Sequence, residues 1–200
     1  MIRLSTPFIP QPELPLILAS ASPRRRALLK RLGLKFVVHA AAIDETEFLE
    51  AQQNPETLAV KLAAAKARAV GEDYRKALIV GADTIVSVEG MILGKPENAE
   101  EAEEMLWKLS GRRHEVTTGV ALYYLPSRRL SSFPVTTEVC FRDLNTDEIR
   151  RYVATGEPMD KAGAYGIQGL GAVLVRQIRG DYFNVVGFPL TEFYRALKDE

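Results

Sequence analysis

An α/β fold built around a mixed sheet is predicted for this chain by three features. Apolar strand-like runs alternate with helical periods, the first run leads directly into an arginine-rich helix start, and two long β-rich stretches flank a short polar turn. The alternation begins at Leu16 to Gly33 (LILASASPRRRALLKRLG), where an apolar strand gives way to a helix with Ser22 as N-cap, Pro23 at its first position and Gly33 as its stop. FVVHAA, Phe36 to Ala41, reads as a second strand. Asn54 and Pro55 open a helix that runs to Gly71, and ALIVGADTIV follows as a third strand. SVEGMILGKP reads as a hairpin turning near Glu89 and Gly90, and Asn98 caps a helix, AEEAEEMLWKLSG, whose first turn is acidic, as the helix dipole favours. HEVTTGVALYYL and LSSFPVTTEVCFRDL form an antiparallel pair across Pro126 to Arg129. A helix from about Thr146 to Thr155, a glycine-rich loop, a final strand pair and a helix after Pro189 complete the chain.

Composition limits what such a fold can do. At 200 residues the chain makes one large domain or two closely packed lobes, after a Pro-rich start at residues 1–14 that reads as a loose extension. The 26 basic and 26 acidic residues cancel, which argues against a general nucleic-acid or membrane-surface binder. Cys140 has no second cysteine to pair with, and with only two histidines present a zinc site is disfavoured. Cys140 is expected to pack in the core of a strand. No apolar run approaches membrane-spanning length, and the start has no signal-peptide pattern.

The chemistry-bearing residues concentrate at strand ends and loops. Arg24, Arg25 and Arg26 occupy the first turn of the first helix, where the helix dipole repels cations, so a bound anion is expected: free N–H groups and two or three guanidinium forks converge there, as phosphate binding requires. Asp83 follows the apolar run ALIVGA, where a carboxylate emerges as a buried strand ends, a common active-site position; a turn-forming role is the alternative. Glu45, in AIDETE, is a second candidate carboxylate, in competition with Asp44 and Glu47. Carboxylates plus phosphates suit Mg²⁺ or Mn²⁺. Lys95 sits between Gly94, which admits close backbone approach, and Pro96, which stiffens the loop. Lys66, on an alanine-rich helix, reads equally well as a cleft residue or a solvated one. His114 reads as a structural hydrogen-bonder. The loop DKAGAYGIQGLG folds tightly or approaches a ligand closely; it has neither a dinucleotide fingerprint nor a P-loop, while Gln168 offers a donor and an acceptor to a base edge and Tyr165 can stack or pack.

In order and spacing, SASPRRRALL, AAAKARAV, GADTIV, LGKP, SGRRHEVTTGV, KAGAYGIQG and VVGFPL resemble the Maf-type nucleoside triphosphate pyrophosphatases, relatives of the inosine-triphosphate pyrophosphatase (Maf/Ham1) fold, over about Leu16 to Leu190. The resemblance implies a single two-lobed catalytic domain, residues 15–200, around a mixed sheet flanked by helices. It also implies dependence on a divalent metal, a cytoplasmic location, a homodimer, and a small-molecule nucleoside triphosphate as partner, without nucleic acid or membrane. The loop KAGAYGIQG is similar to the branch acting on dTTP and UTP. Asp83 matches the family's catalytic base, Arg24, Thr84 and Gln168 match positions linked to base choice, and Ser20, Ser22, Arg25, Glu45, Lys66 and Lys95 match other pocket residues. On this reading Lys66 and Lys95 neutralise developing charge, Glu45 holds the metal, and Asp83 activates water or joins the metal. Phe188 stands where the family commonly has Leu, and the Pro-rich start is longer than usual. Two rival readings stand beside it: a pyrophosphatase for another nucleotide, inosine-type or 7-methyl-GTP, and a nucleotide-binding regulator of cell division.

Overall fold

Capping chemistry fixes where the helices begin in the computed structural model, which describes residues 9–48 and 54–198. Ser22 Oγ accepts the Arg25 amide at the start of α1 (Pro23–Arg31), and Asn54 Oδ1 accepts those of Glu56 and Thr57 at the start of α2 (Pro55–Gly71). Asn98 does the same for α3 (Ala99–Leu109), and Asn145 forms a full capping box with Glu148 at α4 (Thr146–Val153). The strands are β1 (Leu16–Leu18), β2 (Phe36–Val38), β3 (Ala77–Val88), β4 (Met91–Leu93), β5 (Arg113–Leu125), β6 (Arg129–Phe141) and β7 (Val175–Arg179). Two short C-terminal helices follow, α5 (Tyr182–Val186) and α6 (Leu190–Lys198).

The strands form one seven-stranded sheet in the order β2-β1-β3-β5-β6-β7, with β4 also paired to β3. β1 runs parallel to β2 and β3, and every other pairing is antiparallel, so the sheet is mixed as predicted. Glu89 and Gly90, both at positive φ (50° and 79°), close the β3–β4 hairpin in the mirror-image turn that matches strand twist. Helix α2 covers one face of the sheet through Ala63, Ala67 and Val70 against Ile79 and Ala121. The other face packs α1 and α6 through Leu28, Leu29 and Phe193 near β1, and α3 and α4 through Leu106 and Ile149 near the far end of β3.

Three expectations change. Asp83 is not at a strand end: β3 continues to Val88, because Thr84 to Ser87 stay paired with β5 and Val86 to Val88 pair with β4. The final strand pair is one strand, β7. The apolar run YFNVV coils into α5 because Asp181 caps it and Asn184 sends its amide to Val116 O and Thr137 Oγ1 on the sheet face. Cys140 is half-buried beside an irregularity in the β6–β7 pairing instead of in the core. Of the extension, residues 1–8 lie outside the described residues; Gln11 exchanges two hydrogen bonds with the backbone of Lys35 (2.7 and 2.9 Å), and Ile9 and Leu14 pack on the core.

The spacing between α2 and the sheet positions the site. A methyl group at Gly81 would overlap Ala63 O, and one at Gly119 would overlap the Ala59 carbonyl, so the helix backbone rests on β3 and β5. Gly81→Ala or Gly119→Ala should therefore push the helix outward and cost about 1–3 kcal/mol. Thermal unfolding should register this as a Tm lower by roughly 2–12 °C, given about 2–4 °C per kcal/mol at this chain length.

Candidate active site

An open sheet edge creates the site. β1 ends at Leu18, opposite Val80, and the Ala19 amide donates to Val80 O at 2.8 Å before the chain turns into α1. β4 takes up the same edge of β3 only from Val86. Between them, Gly81 to Ile85 face no strand on that edge among the described residues, and a cleft of about 620 Å³ opens there. Ser20, Ser22, Arg24, Arg25, Glu45, Lys66, Asp83, Thr84, Lys95 and Gln168 all line it. Successive β3 side chains point to opposite faces. Asp83 therefore reaches the α2 side of the edge and Thr84 the α1 side.

On the α2 side, Lys66 Nζ donates to Asp83 Oδ1 at 2.5 Å and lies 2.7 Å from Glu45 Oε1. The Lys66 and Asp83 side chains are each 12% exposed, against 51% for Glu45 at the rim. Burial raises the Glu45 carboxyl's affinity for a proton, but the Lys66 hydrogen bond and the charges of Lys66, Lys95 and Arg25 outweigh it and hold the group below the usual carboxylate range. Glu45 is separated from its rivals by orientation. Asp44 turns back to accept from the Thr46 amide and hydroxyl (2.9 and 2.6 Å), and Glu47 does not line the cleft.

On the α1 side, Arg25 donates to three neutral oxygens: Nε to Gly187 O at 2.9 Å, Nη1 to Ser20 Oγ at 3.1 Å and Nη2 to Thr84 Oγ1 at 2.9 Å. Burial lowers its pKa, Asp83 acts against that and Arg24 adds to it. A guanidinium held by neutral acceptors in a partly buried cleft keeps its charge available for an incoming anion. Arg24 is tied to Asp160 at 3.2 Å. Arg26 is exposed and absent from the lining, so two of the three arginines serve the cleft. Lys95 and Gln168 are exposed at the rim. Gly94 borders open space, and its carbonyl accepts the Gly163 amide at 3.0 Å.

Three charged lining residues are not marked out by the sequence: Glu157, Asp160 and Lys161. The available signal was the pair of opposite charges opening a glycine-rich loop. Among the described residues no three His, Cys, Asp or Glu side chains gather as metal ligands. Glu45 and Asp83, with one oxygen each on Lys66, instead fit a Mg²⁺-type ion, which is bound through one or two carboxylates with substrate phosphates and water completing its shell.

The fold and cleft define an α/β protein able to grip a phosphorylated small molecule between a carboxylate–lysine centre and an arginine-bearing helix start. The chain belongs to the Maf family: the profile described as "Maf-like protein" matches residues 15–200. It is 54% identical over 182 residues to a dTTP/UTP pyrophosphatase of Moorella thermoacetica, covering 91% of this chain and 93% of that protein. It is 50% identical to proteins of the same name from Dictyoglomus thermophilum, over 91% of this chain and 94% of the relative, and from Halalkalibacterium halodurans, over 92% and 95%. Among the described residues no helix is long and apolar enough to cross a membrane.

Behind the cleft wall, His114 is 2% exposed, its Nε2 lies 2.8 Å from the Tyr165 hydroxyl, and its ring meets Phe141 edge-on. Burial pushes its pKa down from 6.5 to about 4, so it stays neutral in the fold, a structural hydrogen-bonder as the sequence suggests. Between these values the unfolded chain binds a proton that the folded one does not, so this residue's contribution to stability is present above pH 6.5 and is lost as pH falls toward 4. The loss should reach about 3 kcal/mol. Urea unfolding at pH 7 and pH 4.5 checks this: His114→Gln should lose markedly less stability over that interval than the wild type.

Proposed function

We propose that the protein hydrolyses dTTP and UTP to the nucleoside monophosphate and pyrophosphate. The observation that carries this reading is the placement of Asp83, Lys66 and Glu45 in one cleft with Arg25 and the start of α1. The names of relatives at about half identity over nine-tenths of the chain support the choice of nucleotide. A free nucleotide as sole partner, with a homodimer acting in the cytoplasm, belongs to the same reading and accords with a net charge of zero and a single cysteine.

Release of pyrophosphate, the activity in the relatives' name, follows from attack of water on the α-phosphorus. Arg25, already oriented by Ser20, Thr84 and Gly187, binds the phosphate chain at the positive end of α1, without having to reorganise when charge develops. Lys66 and Lys95 add positive charge on the opposite side of the cleft. Asp83 accepts the proton of the attacking water or contributes an oxygen to the metal, since either role needs a carboxylate beside the phosphate. Glu45 and Asp83 would hold a divalent ion, which would supply charge neutralisation to the phosphate oxygens. At the far rim Gln168 presents an amide to the pyrimidine edge, while Arg24 and Thr84 shape the rest of the base site.

With Mg²⁺ or Mn²⁺, incubation with dTTP or UTP should give the monophosphate and pyrophosphate, and chelation should stop the reaction. Release of orthophosphate instead would overturn the reading. Asp83→Asn preserves shape and removes charge, so turnover should fall by at least about a hundredfold. Gln168→Glu exchanges amide donors for acceptors and should lower kcat/KM for dTTP and UTP by roughly ten- to a hundredfold, with the melting temperature nearly unchanged. A variant that keeps its full preference over CTP and purine nucleotides would show that Gln168 does not read the base.

A further inference from the structure

The glycine-rich loop has a feature that ligand contact does not explain. Its glycines at 166, 169 and 171 make room for the protein's own side chains. A methyl group at Gly169 would overlap the Glu157 carboxylate, one at Gly171 would approach the Tyr152 hydroxyl to 2.6 Å, and one at Gly166 would approach Lys161 Cε to 2.6 Å. Glu157, on the short 3-10 turn Glu157–Asp160, accepts the Leu170 amide through Oε2 at 2.8 Å and the Gly171 amide through Oε1 at 3.0 Å. Its Oε1 also accepts the Tyr152 hydroxyl at 3.0 Å, and that hydroxyl in turn accepts the Gly166 amide at 3.2 Å. The two side chains therefore grip the backbone on both flanks of Ile167, Gln168 and Gly169. Tyr152, on α4, is 6% exposed and belongs to the core cluster that includes Met105 and Leu106 of α3, so the grip is anchored in the core.

We propose that Glu157 is a positioning residue for nucleotide selectivity, acting through Gln168: with Tyr152 it fixes the loop segment that holds the Gln168 amide at the mouth of the cleft. The inference rests on the functional reading above, in which Gln168 meets the base. Burial opposes the charge of Glu157, but the two loop amides, the Tyr152 hydroxyl and Lys161 outweigh it and hold the carboxyl below its usual range. It is an ionised acceptor at neutral pH, and charge-assisted bonds to backbone amides are stronger than neutral ones. Lys161 reinforces the turn by donating to Glu157 O at 2.6 Å. Glu157 differs from Glu45 and Asp83 in this respect, because both of its oxygens are occupied by the loop.

Glu157→Gln preserves size and turns an amide NH₂ toward the Leu170 or Gly171 N–H, which loosens one flank of the grip. The test compares wild type, Glu157→Gln, Gln168→Ala and the double variant, measuring kcat and KM for dTTP, UTP and CTP. Glu157→Gln should reduce the preference for dTTP and UTP over CTP by about three- to thirtyfold, with the loss falling on KM more than on kcat, and should change the preference no further once Gln168 is Ala. A loss shared equally by all three nucleotides, or one that adds fully to that of Gln168→Ala, overturns the proposal. If Glu157→Gln fails to fold, Tyr152→Phe removes the hydroxyl that joins the two flanks and should shift the same ratio in the same direction; an unchanged ratio overturns the proposal. The two readings fail separately. A wild type without preference for dTTP and UTP refutes the functional reading and the inference with it, whereas a preference lost in Gln168→Ala and kept in Glu157→Gln refutes the inference alone.

Discussion

The approach of α2 to the sheet is the constraint from which the charged centre follows. Because Gly81 and Gly119 present no side chains, the backbone at Ala59 and Ala63 settles against β3 and β5, and Lys66, on the next turn of that helix face, arrives directly over Asp83. A helix pushed outward by side chains at 81 and 119 would carry Lys66 away from the carboxylate on β3. An isolated buried ion is expensive, whereas one paired and hydrogen-bonded can be tolerated. The small residues of α2 are therefore a condition for placing Asp83 in the middle of a strand.

Strand alternation then divides the site by charge type. Asp83 and Thr84 are neighbours in sequence but lie on opposite faces of β3, so the carboxylate–lysine cluster forms on one side of the open edge and the Arg25 network on the other. Thr84 also bonds Thr118, whose hydroxyl donates to Asn184 O, so the sheet, Arg25 and the segment leading to Gly187 form one polar chain. Each partner of Arg25 is itself fixed by the fold. A guanidinium held in place by fixed acceptors is preorganised and needs no rearrangement to meet an anion.

The parts of this arrangement visible in the sequence are those set by local chemistry. Ser22, Pro23 and the arginines announce an anion-seeking helix start, and Asn54, Asn98 and the Glu89–Gly90 turn mark their elements unaided. Asp83 is recognisable as a charge beside a buried run, but its position mid-strand depends on β3 staying paired with β5, and the open edge beside it on β1 ending at Leu18, some 65 residues earlier in the chain. Three acidic residues at 44, 45 and 47 differ only in where the turn aims them, and only contact with Lys66 separates Glu45 from the rest. The run YFNVV has strand-like composition, yet its outcome is decided by Asn184 finding partners on β5 and β6. Glu157 is least visible because two of its partners are main-chain amides, which no residue identity advertises.

The open stretch of β3 carries a cost and a safeguard. Extending β1 by a few residues would complete the ladder beside Gly81 to Ile85 and gain hydrogen bonds, but would seal the cleft, so stability and access oppose each other at this edge. An unpaired strand edge is also a template on which a foreign strand can add. Here that edge is bordered by the charges of Asp83, Lys66 and Lys95, the kind of side chains with which proteins discourage edge-to-edge pairing. The charged residues that line the cleft thus also make it inhospitable to another polypeptide, and neutralising them would leave this open edge a template for aggregation.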